Sequence, residues 1–555
     1  MIESINLKFG RVPESSSETI ETTPITVFVG PNNSGKSKVL EEIDHFCKTG
    51  EIGKDAVIVG NIRLKAIAQN TVDEKITTIT VSPKSSDRVK KDHIYIGKQN
   101  KRHHVNIAQL KRALSDPNAS VREFCSWYLA LNTIKLDGKN RIQLTERQGG
   151  GDLRNPQSSL QVLFRDNDKR GEIRRIIYEA FEKYFVIDPT DLGHFSIRLS
   201  PTEPLSSEFE KSLTDEAVDF HTKSLPIENA SDGVKAFIGI LSEVIAGDPL
   251  VLLLDEPEAF LHPPLAFKLG QEVARNTMGS EKRIFVATHS PSFVMGCIQS
   301  GAPVNIVRLT YRQGGATARI LPNEEVTHLM KNPLLRSTGV LSGLFYESAV
   351  VTESDADRAF YQEINERLQA CDPKRGIANC LFLHAQNKQT VKTIIRPLRA
   401  LGIPVAGIVD IDVLKEGGQV WQSFLECGYL PKMDREELAG LRTKLNTALQ
   451  QSGRNMKTDG GIDVLGEEEK ESAQNLFEKL AQYGLFIVPT GELESWLKTL
   501  RVSGHGPKWL IEVFNKMGEE PNSSAYVVPS EGDVWAFIDN ISTWLNNGNR
   551  KGMPN

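Results

Sequence analysis

The chain has 555 residues, 39% hydrophobic and 25% charged, with a formal net charge of −5. This is the make-up of an ordinary globular protein too long for one hydrophobic core, so several domains are expected and fibrous or disordered classes are excluded. The six cysteines form no CxxC pair, no apolar window approaches about eighteen residues, and no basic-then-apolar leader opens the chain, so a disulfide framework, a membrane span and secretion are not expected and the cytoplasm is.

The first informative segment is ITVFV at 25–29, a predicted strand that runs into GPNNSGKS at 30–37. Gly30, Gly35, Lys36 and Ser37 fit the phosphate-loop pattern GxxxxGK[ST], and Val39, Leu40, Ile43, Phe46 and Cys47 then recur at helical spacing. Strand, loop and helix stand in the order a triphosphate needs. The loop, with Asn32, Asn33 and Ser34, offers backbone N–H groups to phosphate oxygens, Lys36 neutralises the β and γ phosphates, and Ser37 ligates Mg²⁺.

Two basic segments follow. RVKKDHIYIGKQNKRHH at 88–104 concentrates Arg88, Lys90, Lys91, Lys98, Lys101 and Arg102, and KRGEIRR occupies 169–175. With a negative net charge, contact with a phosphate backbone would have to use such local clusters, although a solvated face is the ordinary use of a charge run. Three-to-four spacing predicts that about 100–225 is a largely helical insertion, and no sustained heptad supports a long coiled coil.

SDG at 231–233 reads as a cap and turn before the helix VKAFIGILSEVI. LVLLLDEPEAFLHPP at 250–264 reads as a buried strand that delivers Asp255 to the Mg²⁺ shell and Glu256 to the attacking water. RIFVATHSP at 283–291 is a second buried strand, which brings His289 to the place of a γ-phosphate sensor.

Together, GPNNSGKS, LLLDEPEAFLHP and ATHSP resemble the ABC-type ATPase heads of the RecF, SMC and OLD (overcoming lysogenization defect) group. That resemblance implies a head that sandwiches ATP between two protomers, hence a homodimer or larger homo-oligomer. ENASDGVKAF stands where the group carries its signature motif, and Ser231 and Gly233 would then touch the γ-phosphate held by the opposite subunit.

Beyond a linker-like stretch at 311–325, Ala349–Thr352 predict a strand that delivers Glu353 into a turn, with Asp357 one helical turn later. PVAGIVDID at 404–412 predicts a buried strand ending in Asp410 and Asp412, on the same side if the strand continues. LFIVPTGELESWL at 485–497 adds Glu492 and Glu494, of which Glu494 is the preferred ligand. Crowded carboxylates repel unless a hard cation offsets them, which points to Mg²⁺ or Mn²⁺. Two such ions about 4 Å apart suit phosphodiester hydrolysis. Lys508 is either near the scissile phosphate or a surface lysine.

VVTESDAD and IVDID resemble the TOPRIM domain, in which Glu353, Asp357, Asp410, Asp412 and Glu494 would be metal-site or acid/base residues. The chain departs from that pattern at Ser354, where the family has Gly; a serine there requires negative φ.

The expected fold is α/β, an ABC-type P-loop ATPase head at 1–340 and a Rossmann-like TOPRIM domain at 341–555, with a helical insertion at about 413–480. Head plus TOPRIM in this order is similar to the OLD family of ATP-dependent endonucleases. The resemblance implies DNA as substrate and a bacterial anti-phage setting, either alone or with a second component such as a retron reverse transcriptase and its RNA/DNA product. The competing expectation is an ATPase sensor or scaffold with an inactive TOPRIM domain.

Overall fold

Runs of four or more apolar or β-branched residues become strands buried on both faces, and helices cover them, which is how parallel sheets hide an unbroken hydrophobic run. The computed structural model describes every residue except 14, 86, 89, 99, 100, 313, 332–338, 388, 389 and 555. The chain divides into two units, Met1–Thr327 and His328–Asn555.

The first unit is built on a six-stranded sheet in the order Gly315–Leu321, Val304–Arg312, Ile25–Val29, Arg283–Ala287, Val251–Asp255, Thr133–Leu136. All neighbours are parallel except the outer pair Val304–Arg312 and Gly315–Leu321. Register aligns Asp255 with Ala287 and Ala287 with Phe28, so the phosphate loop, the acidic pair and His289 all leave the same edge of the sheet. Helix Lys36–Thr49 packs Val39, Leu40, Ile43, Phe46 and Cys47 into the core.

The span 100–225 is more mixed than its helical spacing predicts. It holds helices such as Ile107–Ser115 and Asn167–Phe181, but also an antiparallel pair, Tyr184–Asp188 and His194–Ser200. It supplies the main sheet's edge strand, Thr133–Leu136, too short to register as a periodic signal.

The basic segments are partly tied into the unit and partly exposed. In 88–104, of which residues 89, 99 and 100 lie outside the described residues, an antiparallel strand pair ties three cations to neighbouring segments. Lys98 donates to Asn132 Oδ1 and the Asp248 carbonyl, Lys101 to the Ala130 carbonyl, and Arg102 pairs with Asp87. Arg88, Lys90 and Lys91 are exposed. In 169–175, Arg170 and Arg174 both pair with buried Glu210, at 2.9 and 2.6 Å, and serve the packing of this unit.

The second unit carries a four-stranded parallel sheet in the order Cys380–His384, Ser348–Thr352, Val405–Val409, Leu485–Ile487. Helix Asp355–Cys371 packs Phe360, Tyr361, Ile364 and Leu368 into a core shared with Trp509 and Trp535. The span 413–480 is mostly helical, with Gly418–Cys427, Lys432–Gln451 and Glu467–Ala481. Among the described residues no helix is long and apolar enough to cross a membrane.

Candidate functional site

In the first unit, Gly30 (φ 146°) comes so close to the neighbouring strand that a Cβ would lie 2.0 Å from the Leu309 carbonyl oxygen, and only glycine fits. Gly35 (φ 93°) turns the chain into helix Lys36–Thr49. Asn32 and Asn33 are exposed at the loop tip, whereas Ser34 is buried and its hydroxyl has no hydrogen-bond partner among the described residues.

Lys36 folds back on the loop, donating to the carbonyls of Gly30 (3.0 Å) and Pro31 (2.8 Å). Burial lowers its pKa to about 8, against the opposing charges of Glu256, Glu258 and Asp255. Ser37 Oγ donates to Asp255 Oδ1 at 2.9 Å, joining the two predicted Mg²⁺ ligands. Burial raises the Asp255 pKa, and the Ser37 bond opposes that shift.

Glu256 sits in a left-handed turn (φ 48°) with its carboxylate 3.5 Å from His289 Nε2. Burial, then the charge of Lys36, holds the His289 pKa below its usual value. Ser231 stands at the N-cap position of helix Asp232–Ser242 without a capping side-chain hydrogen bond, and is exposed. Gly233 lets that helix approach the turn after Glu256, since a Cβ there would lie 2.5 Å from the Phe260 carbonyl oxygen.

Two residues of this site escape sequence reasoning. Glu258 is half-buried and accepts from Thr288 Oγ1 (2.8 Å) and the His289 N–H (2.7 Å), fixing the loop that carries the histidine. Arg141 is buried and donates from Nη1 to the carbonyl of Glu256 (2.7 Å) and, at 3.4 Å, to that of Asp255. Glu258 could have been found from the carboxylates of DEPE; a lone arginine more than a hundred residues upstream carried no signal.

In the second unit, the strand ends bring Glu353, Asp410 and Asp412 together, with one oxygen from each within 4.8 Å of the others. Glu353 Oε1 also accepts from the Asp410 N–H at 2.9 Å. Burial, then the charge of Asp410, pushes the Glu353 pKa up to about 8; burial outweighs the hydrogen bond from Lys457 and raises Asp410 to about 6. Three crowded oxygen donors, two of them with pKa values raised by burial, form a set that a hard divalent cation fits.

One expectation changes, and two predicted ligands stand apart from the trio. The strand stops at Val409 and Asp410 caps a 3₁₀ turn, Ile411–Lys415, so the Asp410–Asp412 pair converges through a turn and not along an extended strand. Asp357 is not a member of the trio, although its charge acts on both Glu353 and Asp410. Ser354 (φ −127°) caps helix Asp355–Cys371, its hydroxyl accepting from the Asp357 N–H while Asp357 Oδ2 accepts from the Ser354 N–H at 2.9 Å.

Glu494 joins Glu492 and His505 in a separate group, where His505 Nδ1 and the Gly506 N–H both lie 2.7 Å from Glu494 Oε1. Lys508 is exposed. The unforeseen member is Lys457, from the helical span 413–480. Its Nζ lies 2.8 Å from Asp410 Oδ2, 3.7 Å from Asp412 Oδ2 and 3.6 Å from Glu492 Oε2. Burial alone would lower its pKa, but the Asp410 bond and the three carboxylate charges raise it.

Residues 25–295 match the family described as "AAA domain, putative AbiEii toxin, Type IV TA system". Residues 344–412 match "Overcoming lysogenization defect protein-like, TOPRIM domain". No curated protein matches the chain. Similar solved structures include an Smc head bound to the C-winged helix domain of ScpA, at 12% identity over 60% of this chain and 99% of that one, with a TM-score of 0.35. The SMC head domain from Thermotoga maritima matches at 13% identity over 58% and 98% of the two chains, TM-score 0.28. A Pyrococcus furiosus Smc head with an extended coiled coil, bound to the C-terminal domain of ScpA, matches at 11% over 60% and 98%, TM-score 0.29.

Proposed function

From a chain in which an AAA ATPase domain is followed by an OLD-like TOPRIM domain, we propose an ATP-regulated, divalent-metal-dependent DNA endonuclease of OLD type that acts in defence against phage. The observation that carries the reading is the convergence of Glu353, Asp410 and Asp412 on one point, in a chain whose phosphate loop is joined to its acidic strand by the Ser37–Asp255 hydrogen bond.

In the head, the loop amides and Lys36 bind the triphosphate, Ser37 and Asp255 hold Mg²⁺, Glu256 orients the attacking water and His289 faces Glu256 as the γ-phosphate contact. Ser231 and Gly233 complete the nucleotide site of a second copy, which makes a homo-oligomer the working form. In the TOPRIM domain, Glu353, Asp410 and Asp412 hold Mg²⁺ or Mn²⁺, while Asp357 keeps the first helical turn in place. When bound, the ion polarises the phosphodiester and makes a nearby water more acidic. Nucleotide occupancy of the head gates cutting, a safeguard for host DNA. A second defence component, such as a reverse transcriptase with its RNA/DNA product, would supply the activating signal.

The test incubates purified protein with plasmid and with linear DNA, in Mg²⁺ or Mn²⁺, with and without ATP. Cleavage by the wild type and its loss in Asp410→Ala are expected. An intact substrate under every condition, with ATP still consumed, would favour a sensor or scaffold ATPase with an inactive TOPRIM domain.

A further inference from the structure

We propose that Arg88, Lys90 and Lys91, which precede the strand pair His93–Lys98 and Lys101–Asn106 in the first unit, form a docking surface for the phosphate backbone of duplex DNA. The inference rests on the DNA reading above and names where the head would hold that substrate.

The cations of 88–104 fall into two sets. Lys98, Lys101 and Arg102 are taken up by neighbouring segments of the unit. Arg88, Lys90 and Lys91 are exposed and have no acidic partner among the described residues. Of the two acids beside them, Asp87 pairs with Arg102 and Asp92 is exposed, so three cations stand against one acid.

The backbone that carries the three is pinned to one strand. The Tyr95 hydroxyl donates to the Arg88 carbonyl at 3.2 Å, the His93 N–H donates to the Lys90 carbonyl at 3.2 Å, and His93 Nδ1 lies 3.1 Å from the Lys91 carbonyl. Tyr95 and His93 are themselves held in a column, with ring centroids 4.5 Å apart for Tyr95 and His104 and 5.0 Å for His93 and His104. The alternate residues Ile94, Ile96 and Val105 pack into the core of the unit. The cationic backbone therefore cannot swing its charges apart, and their mutual repulsion is relieved when a polyanion lies across them.

The same column says which nucleic acid fits. Sites for single strands pair their cations with open aromatic faces on which bases stack. Here the Arg102 guanidinium and the His104 ring both lie over Tyr95, at 4.2 and 4.5 Å from its centroid, so that ring is used within the column. What the surface offers is charge, which meets phosphates and carries no sequence preference. In a chain of net charge −5, contact with a polyanion has to come from such a local cluster.

The test measures binding of the full chain to a labelled duplex oligonucleotide by fluorescence anisotropy over a series of salt concentrations, in chelator so that nothing is cut. Each lost phosphate contact makes the slope of log affinity against log salt shallower by about 0.9. The triple variant Arg88→Ser, Lys90→Ser, Lys91→Ser should therefore lose roughly 2–3 from the slope, with ATP turnover in the absence of DNA unchanged. A control with the same charge change on exposed residues of the second unit, Lys374→Ser, Lys432→Ser, Lys444→Ser, should keep the parent slope. An unchanged slope in the first triple variant, an equal loss in both, or tighter binding of the parent to a single strand than to the duplex would overturn the proposal and leave the DNA reading standing. No binding by the parent at the lowest salt would overturn both.

Discussion

Glu256 holds a left-handed backbone that costs a residue with a side chain roughly 1–2 kcal/mol, and such a turn persists only where the surroundings impose it. Arg141 imposes it here through the hydrogen bond to the Glu256 carbonyl. Bonds to charged groups contribute about 1.5–3 kcal/mol. Arg141→Ala should therefore lower ATP turnover roughly tenfold to a hundredfold with KM for ATP little changed; an equal loss of affinity would show that Arg141 acts on binding. Glu353 gives a second prediction at this scale. Its folded pKa of about 8 lies above the usual glutamate value, so between roughly pH 4.5 and 8 the folded state holds a proton that the unfolded chain releases. Stability contributed in acid is lost as pH rises through that window. In chelator, the melting temperature of the wild type should fall over this range and that of Glu353→Gln should fall less; parallel curves would remove Glu353 as the cause.

Short elements carry the acidic cluster of the TOPRIM domain. Ser354 occupies the position where glycine is the pattern, and its negative φ together with the reciprocal bonds to Asp357 turns that departure into a helix cap. Ser354→Ala should cost about 1 kcal/mol of unfolding free energy and Ser354→Gly only a few tenths, measured by urea titration; equal costs would mean that the hydroxyl is idle. The strands around both sites were legible because each is an apolar run ending in charged residues, and Gly30, Lys36, Ser37, Asp255, Glu353 and Asp410 could be placed from such local patterns. The 3₁₀ turn after Asp410 was not, because VDID reads equally well as a continuing strand until the Gly491 carbonyl receives the Ile411 N–H.

For the whole molecule, the two motif sets sit in different units of the chain, which predicts separable defects. Lys36→Ala should abolish ATP turnover. Glu353→Gln should leave turnover near wild type and remove DNA cleavage, assayed side by side on one preparation; cleavage persisting in the second variant would take Glu353 out of the site. Arg141 and Lys457 show what sequence order hides. Arg141 meets its partner 115 residues away, and Lys457 comes from a helical span whose spacing reports only amphipathic packing. Their roles arise from burial and approach, which leave no periodic trace. In the basic run at 169–175, Arg170 and Arg174 are taken up by Glu210 whereas Arg175 stays exposed beside Glu179.

The folded-back Lys36 bears on how the head meets its ligand. Its ammonium already has two carbonyl acceptors, so a triphosphate bound there as proposed would displace an internal latch. Entry is then a swap of oxygens around one nitrogen, and a ligand too short to reach that nitrogen leaves the latch shut.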